Sequence, residues 1–188
     1  PEWRRSYHIP LLGEDQIANA QTAITTLRTL YIEETAIHAG IAQTTWLGRM
    51  TKVAEHPYIY VDGAHNVAAW EYLRTSVEKY FTNRRVIYII GVLKDKEYEK
   101  MVEILAPTMA AAVVITPDTP RGLQKEILAQ LLQAKGVPVQ LADTGAEALQ
   151  KAREQAGETD VVLVSGSLSF LAEYLQLEGG DERHGASR

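Results

Sequence analysis

Tyr58-Ile59-Tyr60-Val61-Asp62-Gly63-Ala64-His65-Asn66 is an unbroken apolar run that ends in a polar, glycine-bearing turn, and a helical pattern from Ala68 to Phe81 follows it. The same rhythm recurs downstream. Val86-Ile87-Tyr88-Ile89-Ile90, Ala112-Val113-Val114-Ile115 and Val161-Val162-Leu163-Val164 are further continuous apolar runs, and Val137-Pro138-Val139-Gln140-Leu141 is a weaker one. A strand that faces water on one side alternates apolar with polar residues, whereas a run without alternation suits a strand buried on both faces of a parallel sheet. Helical patterns separate the runs: Glu97 to Leu105, Leu123 to Ala134, Ala146 to Gln155, and a last one from Leu168 to Leu177. Strict alternation of strand and helix predicts an α/β fold, a doubly wound and mostly parallel sheet with helices on both faces.

Residues 1–56 have a different texture. Glu14 to Tyr31 places Ile17, Ala20, Ile24 and Leu27 at near-helical spacing, and a second helix is expected over Glu33 to Gln43, with Gly40 weakening its last turn. Thr44 to Glu55 reads as an irregular connection with a strand around Met50 to Val53. The tail from Glu178 to Arg188 is glycine-rich and charged, and is expected to be disordered.

The bulk numbers exclude several classes. The chain has 188 residues, 46% hydrophobic and 23% charged, with a net charge of −5. That is an ordinary globular composition, with no basic footprint for nucleic acid and no basic helix for an anionic membrane. Length allows one domain of roughly 100–200 residues plus a further piece. With no cysteine, disulfides and thiolate metal sites are ruled out, and a reducing, cytoplasmic setting fits. No apolar run reaches the ~18 residues that span a bilayer, and no signal peptide follows Pro1-Glu2-Trp3-Arg4-Arg5. A start at Pro1 without Met is expected of an excised piece.

In open α/β sheets ligands bind beyond the carboxyl ends of the strands. Those ends carry Asp62 to Asn66, Gly91-Val92-Leu93-Lys94-Asp95-Lys96, Thr116 to Arg121, and Ser165-Gly166-Ser167. Asp62 at a strand end can accept two hydrogen bonds from a ribose diol. Gly63 lets the backbone turn where a ligand approaches. His65 and Asn66 open a helix whose free N–H groups favour anions. The plainer alternative is that Asn66 is an N-cap and Asp62 a turn residue. Ser165 and Ser167 with helix amides can hold a carboxylate or a phosphate, or Ser167 simply caps the helix. Lys94-Asp95-Lys96 is either a ligand loop or a solvated loop in which Asp95 caps the following helix. There is no phosphate-binding Gly-x-x-x-x-Gly-Lys-Ser/Thr loop, no Gly-x-Ser-x-Gly elbow, and no metal-ligand spacing among His8, His38, His56, His65 and His184.

Five stretches occur in order: Leu11-Leu12-Gly13-Glu14-Asp15-Gln16-Ile17-Ala18-Asn19-Ala20, Gly48-Arg49-Met50, Asp62-Gly63-Ala64-His65-Asn66, Gly91-Val92-Leu93-Lys94-Asp95-Lys96 and Ser165-Gly166-Ser167-Leu168. Together they resemble the carboxy-terminal part of folylpolyglutamate synthase / dihydrofolate synthase, in the Mur ligase superfamily. The resemblance runs from Leu11 to Tyr174. It implies a Rossmann-like carboxy-terminal domain over residues 49–177, preceded at 1–48 by the end of a P-loop ATPase domain and followed at 178–188 by the tail. It also implies roles: Asn19 against adenine, Arg49 on the nucleotide phosphates, Asp62 on the ribose, His65 near the phosphates and the incoming glutamate, and Ser167 on that glutamate. Three positions depart from the family pattern. Val67 stands where proline is common, Ser169 followed by Phe170 replaces an aromatic, and Asp15 stands where His is frequent.

By the same resemblance the reaction is ATP-dependent amide formation: L-glutamate is added to dihydropteroate or folate polyglutamate through an acyl phosphate. Magnesium is expected, with its ligands and the pterin pocket outside these residues. The rivals are another Mur-type amino-acid ligase and a non-catalytic α/β binding module, the latter leaving Asn19 and Arg49 unexplained. The α/β part, about 120 residues, is long enough to fold alone. This chain is expected to fold without catalysing. Ile17, Ile24 and Leu27 are expected as an apolar stripe that drives weak self-association.

Overall fold

A computed structural model describes residues 6–179. Two helices open the chain, α1 (Glu14–Thr29) and α2 (Glu34–Ala42). The body follows as β1 (Thr51–Glu55), β2 (Tyr58–Val61), α3 (Val67–Tyr80), β3 (Val86–Ile90), α4 (Tyr98–Leu105), β4 (Ala111–Val114), α5 (Lys125–Ala134), β5 (Val139–Leu141), α6 (Gly145–Gln155), β6 (Val161–Ser165) and α7 (Leu168–Gly179). A single 3₁₀ turn, Ala106–Thr108, joins α4 to β4.

The six strands form one sheet in the order β1-β2-β6-β3-β4-β5. All pairings are parallel except β1 with β2, which is an antiparallel hairpin with an irregularity between Lys52 and Ala54. The fold is therefore the expected α/β arrangement with one antiparallel edge. The expected strand near Met50 exists and begins at Thr51.

The continuous apolar runs have a simple cause. In β3, Tyr88 and Ile90 point to one face and Ile87 and Ile89 to the other, and all four are fully buried. The first face joins Ala112, Val114, Val161 and Leu163 to Trp70, Leu73 and Val77 of α3, Met101 and Leu105 of α4, and Leu128 and Leu132 of α5. The second joins Ile59, Val113, Val162 and Val164 to Ala148 and Ala152 of α6 and Leu171 and Tyr174 of α7. Five buried residues in a row along β3 and again along β6 mark the central strands. Edge strand β5 buries little, which is why Val137 to Leu141 reads weakly.

The opening helices have their own small core, Ile24, Ile37 and Ile41, with Tyr7, Ile9 and Leu27 against it. This corrects the expected stripe: Ile24 is buried and Leu27 half-buried between the two helices, and of the three only Ile17 stays exposed. Leu12 packs on the main core, and Glu14 of α1 pairs with Lys79 of α3, so the helical pair is seated on the body. At the other end α7 runs to Gly179, so Glu178 and Gly179 are helical and not part of a disordered tail. The rest of that expected tail, residues 180–188, lies outside the described residues.

Candidate functional site

The carboxyl ends of β2, β6 and β3 adjoin because those strands are neighbours. Their loops are tied by backbone bonds. Asp62 N–H donates to Val164 O at 2.9 Å, and Gly166 N–H donates to Ala64 O at 3.1 Å. Trp70 Nε1 donates to the same Ala64 carbonyl at 3.2 Å, anchoring α3 to the turn. Two glycines are needed for closeness. Gly166 has φ 116°, and a Cβ there would lie 2.5 Å from Gly91 O. A Cβ on Gly63 would lie 2.7 Å from Leu168 Cδ2 and 3.2 Å from Gly48 O.

Asp62 is 7% exposed. Its Oδ1 accepts from Ala64 N–H at 2.9 Å and its Oδ2 from Met50 N–H at 2.9 Å. Burial raises its pKa above the ordinary carboxylate value, against the lowering effect of those two amides and of the Arg49 charge. The sequence suggested a ribose acceptor or a turn residue. The structure gives Asp62 a third task, for it reaches back twelve positions to clamp the 48–50 segment onto the end of β2. Gly63 N–H donates to Gly48 O at 2.7 Å beside it. Each carboxylate oxygen retains a second lone pair, so a further bond to a ligand is chemically open.

The clamp sets Arg49. That side chain is half-buried and lines two adjoining cavities. The larger, about 390 Å³, lies between the helical pair and the 44–49 segment, walled by Ile9, Leu11, Ala20, Ala23, Ile41 and Trp46, with Gln16 and Asn19 as polar groups. The smaller, about 30 Å³, is lined by Asp15, Gln16, Arg49, Met50, Asp62 and Ala64, among others. The structure therefore brings Asn19, Arg49 and Asp62 to one junction, although they are far apart in sequence. An apolar slot with a few convergent polar groups is the usual form of a small-molecule site.

His65 and Ser167 line neither of these two cavities. His65 is half-buried, with Nδ1 2.8 Å from Gly63 O. A carbonyl only accepts, so Nδ1 carries the proton and Nε2 is left as an acceptor in the neutral ring. Ser167 is 2% exposed, its Oγ 2.8 Å from Ser169 Oγ and accepting from Ser169 N–H at 3.3 Å. It caps α7, the plainer of its two readings. Asn66 likewise caps α3, accepting from Ala69 N–H at 2.9 Å.

The Lys94-Asp95-Lys96 loop needs a correction. Asp95 does not cap α4: Glu97 is the N-cap residue and makes no side-chain capping bond. Asp95 instead accepts two bonds from Arg121, at 3.2 and 2.7 Å, joining the loop after β3 to the loop after β4. Arg121 holds its carboxyl below the usual carboxylate range. Among the described residues no three His, Cys, Asp or Glu side chains group as metal ligands.

Sequence reasoning missed Gln16. It is 6% exposed, lines both cavities, donates from Nε2 to Asp15 Oδ2 at 2.7 Å and accepts at Oε1 from Asn19 Nδ2 at 3.3 Å. The signal was its spacing: positions 16 and 19 are three apart on one helix face.

An open, mostly parallel sheet that sets Asp62 and Ala64 at a strand end beside a helical pair is a doubly wound α/β domain with its junction segment attached. The chain belongs to the Mur ligase family: residues 48–168 match its description "Mur ligase, glutamate ligase domain". It is 34% identical over 161 residues to the dihydrofolate synthase/folylpolyglutamate synthase of Escherichia coli, covering 85% of this chain and 37% of that protein. It is 28% identical over 170 residues to the Bacillus subtilis protein of the same name, covering 87% and 39%. Among solved structures, Mycobacterium tuberculosis folylpolyglutamate synthase complexed with ADP superposes with a TM-score of 0.85 at 27% identity, covering 92% of this chain and 42% of that one. The chain thus spans about two fifths of the length of each of these three proteins.

Proposed function

We propose that this chain forms one wall of the nucleotide cleft, and the amino-acid side, of an ATP-dependent ligase that adds L-glutamate to dihydropteroate or to folate polyglutamate. The observation that carries the reading is the meeting of Asn19, Arg49 and Asp62 around two adjoining cavities. The apolar walls of the larger cavity suit a flat base, with Asn19 hydrogen-bonding its edge. Arg49, at the rim of both cavities, takes phosphate oxygens. Asp62 offers its remaining lone pairs to a ribose hydroxyl while clamping the backbone that carries Arg49. The two like-named relatives and the ADP-bound neighbour support the same reading.

In the reaction, ATP phosphorylates a carboxylate of the pterin-linked acceptor, the α-amine of glutamate attacks the acyl phosphate, and phosphate leaves. The part of this chain is positioning. His65 Nε2 is free to accept a proton from the amine, and the amides opening α7 near Ser167 can hold the glutamate carboxylate. Because the Ser167 hydroxyl is buried in its cap, it acts there by ordering those amides. Orientation of the two reactants is worth on the order of 7–11 kcal/mol when complete. Magnesium would neutralise phosphate charge in this reaction, with its ligands outside these residues, since among the described ones no three His, Cys, Asp or Glu side chains group to hold it. Residues 1–48 belong, on this reading, to the preceding ATPase domain, and the setting is cytoplasmic.

The test is kinetic, in the ligase that contains this chain. Arg49→Ala should lower turnover, Asp62→Ala should raise the KM for ATP, and His65→Ala should raise the KM for glutamate more than that for ATP. ATP kinetics unaltered by both Arg49→Ala and Asp62→Ala would remove the junction from the nucleotide site.

A further inference from the structure

Gln16 and Asn19, polar groups of the larger cavity, belong to a directed chain that begins at Asp15 in the smaller one. Asp15 opens it with a carboxylate, which accepts hydrogen bonds and does not donate. Gln16 must therefore turn its Nε2 toward Asp15, where the two atoms are 2.7 Å apart, and its Oε1 away from it. Oε1 accepts from Asn19 at 3.3 Å, and only the Nδ2 end of an Asn amide can donate. Each amide is oriented by the one before it, and the last of them, Asn19, lies on the exposed side of the helix where it lines the cavity. Gln16 is buried, so water does not compete for its two bonds.

We propose that Gln16, held by Asp15, is a positioning residue that locks the Asn19 amide in one orientation and so makes the cavity selective for a 6-aminopurine over a 6-oxopurine. The inference rests on the reading of this cavity as the base pocket. With one Nδ2 hydrogen committed to Gln16, Asn19 presents Oδ1 and its second Nδ2 hydrogen in a fixed order. A 6-aminopurine offers a matching pair on its six-membered ring, the exocyclic amine as donor beside the unprotonated N1 as acceptor, an amine and ring-nitrogen pair of the kind that Asn side chains bind bidentately. A 6-oxopurine reverses both roles, with O6 as acceptor and a protonated N1 as donor, so that against the locked amide acceptor faces acceptor and donor faces donor. An Asn free to turn over would accommodate O6 by exchanging its ends. Discrimination therefore belongs to the whole chain from Asp15 onward, and Asn19 alone does not supply it.

The experiment is a nitrogen-15 NMR titration of this 188-residue chain with ATP and, separately, with ITP, which differ at the base and share ribose and phosphates. Titration shifts are measurable even for weak binding, and the ATP-to-ITP affinity ratio cancels any change at the phosphates. The wild type should favour ATP by about tenfold, the scale of one well-made hydrogen bond. Gln16→Leu removes the link, and Asp15→Asn keeps its shape but lets the group donate as well as accept. In both variants the ratio should fall to within about twofold of unity, the greater part of that one-bond preference being lost. The second variant is conservative and at a partly exposed position, so it guards against misfolding of the first. If ATP shifts the Asn19, Ala20 and Ala23 signals but the ratio is near unity in the wild type, or is unaltered in both variants, the relay is overturned and the nucleotide reading stands. If ATP moves none of those signals in the wild type, the base pocket itself is overturned and the relay falls with it.

Discussion

Replacing Asp62 by Ala should destabilise the protein by about 3 kcal/mol, and the structure shows where that figure comes from. The carboxylate accepts from Ala64 N–H and Met50 N–H, both at 2.9 Å, and Met50 is 4% exposed. Truncation leaves two buried donors unpaired, at about 1–3 kcal/mol each. Two effects pull the sum toward the lower half of that range. Burial raises the pKa of Asp62, so its charge sits there against a desolvation cost that the variant escapes. The Gly63 N–H to Gly48 O bond also survives and still tethers the junction. For a chain of this size about 3 kcal/mol corresponds to roughly 6–12 °C in Tm. Urea denaturation followed by circular dichroism measures it directly. A loss below about 1 kcal/mol, the scale of an ordinary surface substitution, would refute the clamp, because two orphaned buried donors cannot be that cheap.

The same residue predicts a pH dependence. Its folded pKa is raised, so the native state holds the proton to higher pH than the unfolded chain, and its contribution is complete below the unfolded value and lost as pH rises through the folded one. The stability of the wild type relative to Asp62→Asn should therefore decline from acid toward neutral pH in paired urea titrations, and a relative stability that grows with pH would contradict the sign. Gly166→Ala should cost about 2 kcal/mol or more in thermal melts, since a positive φ already penalises an L side chain by roughly 1–2 kcal/mol and the Cβ would meet Gly91 O. Asn66→Ala should cost about 1 kcal/mol through its lost cap on α3 and leave nucleotide binding unaltered, measured by the same melts with and without ATP. Arg121→Ala should stay within about 0.5 kcal/mol, since its partner Asp95 and the guanidinium are both well exposed, and a larger shift in Tm would mean the two loops depend on that pair.

The body of the fold was legible because burial on both faces leaves a coarse mark. Helices cover each side of β3 and β6, so Val86 to Ile90 and Val161 to Val164 form unbroken apolar runs, the one hydroxyl among them, on Tyr88, being paired with Thr108. The weak reading of Val137 to Leu141 was weak for the converse reason: β5 is an edge strand, and Gln140 and Leu141 face solvent. Helix ends were placed less well. Asp95 has the chemistry of a cap and sits near the start of α4, but Arg121 from the next loop takes it, and no pattern within residues 91–105 records a partner at position 121. Periodicity shows that α1 has an apolar face through Ile24 and is silent on what covers it. Here α2 does, through Ile37 and Ile41.

The site divides along the same line, between what a residue is and whom it meets. Asp62, His65 and Asn66 were visible at a strand end because topology dictates where ligands approach an α/β sheet. That Asp62 spends both oxygens on backbone amides could not be read, since Met50 lies twelve positions back and an irregular connection carries no register. Arg49 and Asn19 were identifiable only through likeness to a family, because a surface Arg after a glycine and a polar residue on a helix are common anywhere. Gln16 stands at the limit. Its spacing to Asn19 was in view, but an amide matters to recognition only once its own orientation is decided, and Asp15 decides it through a side-chain bond between adjacent residues. Helical geometry sets neighbours along a chain apart on the surface, so adjacent positions are not read as partners. The structure brings them together because the buried Gln16 amide must find an acceptor, and the nearest one is the carboxylate beside it.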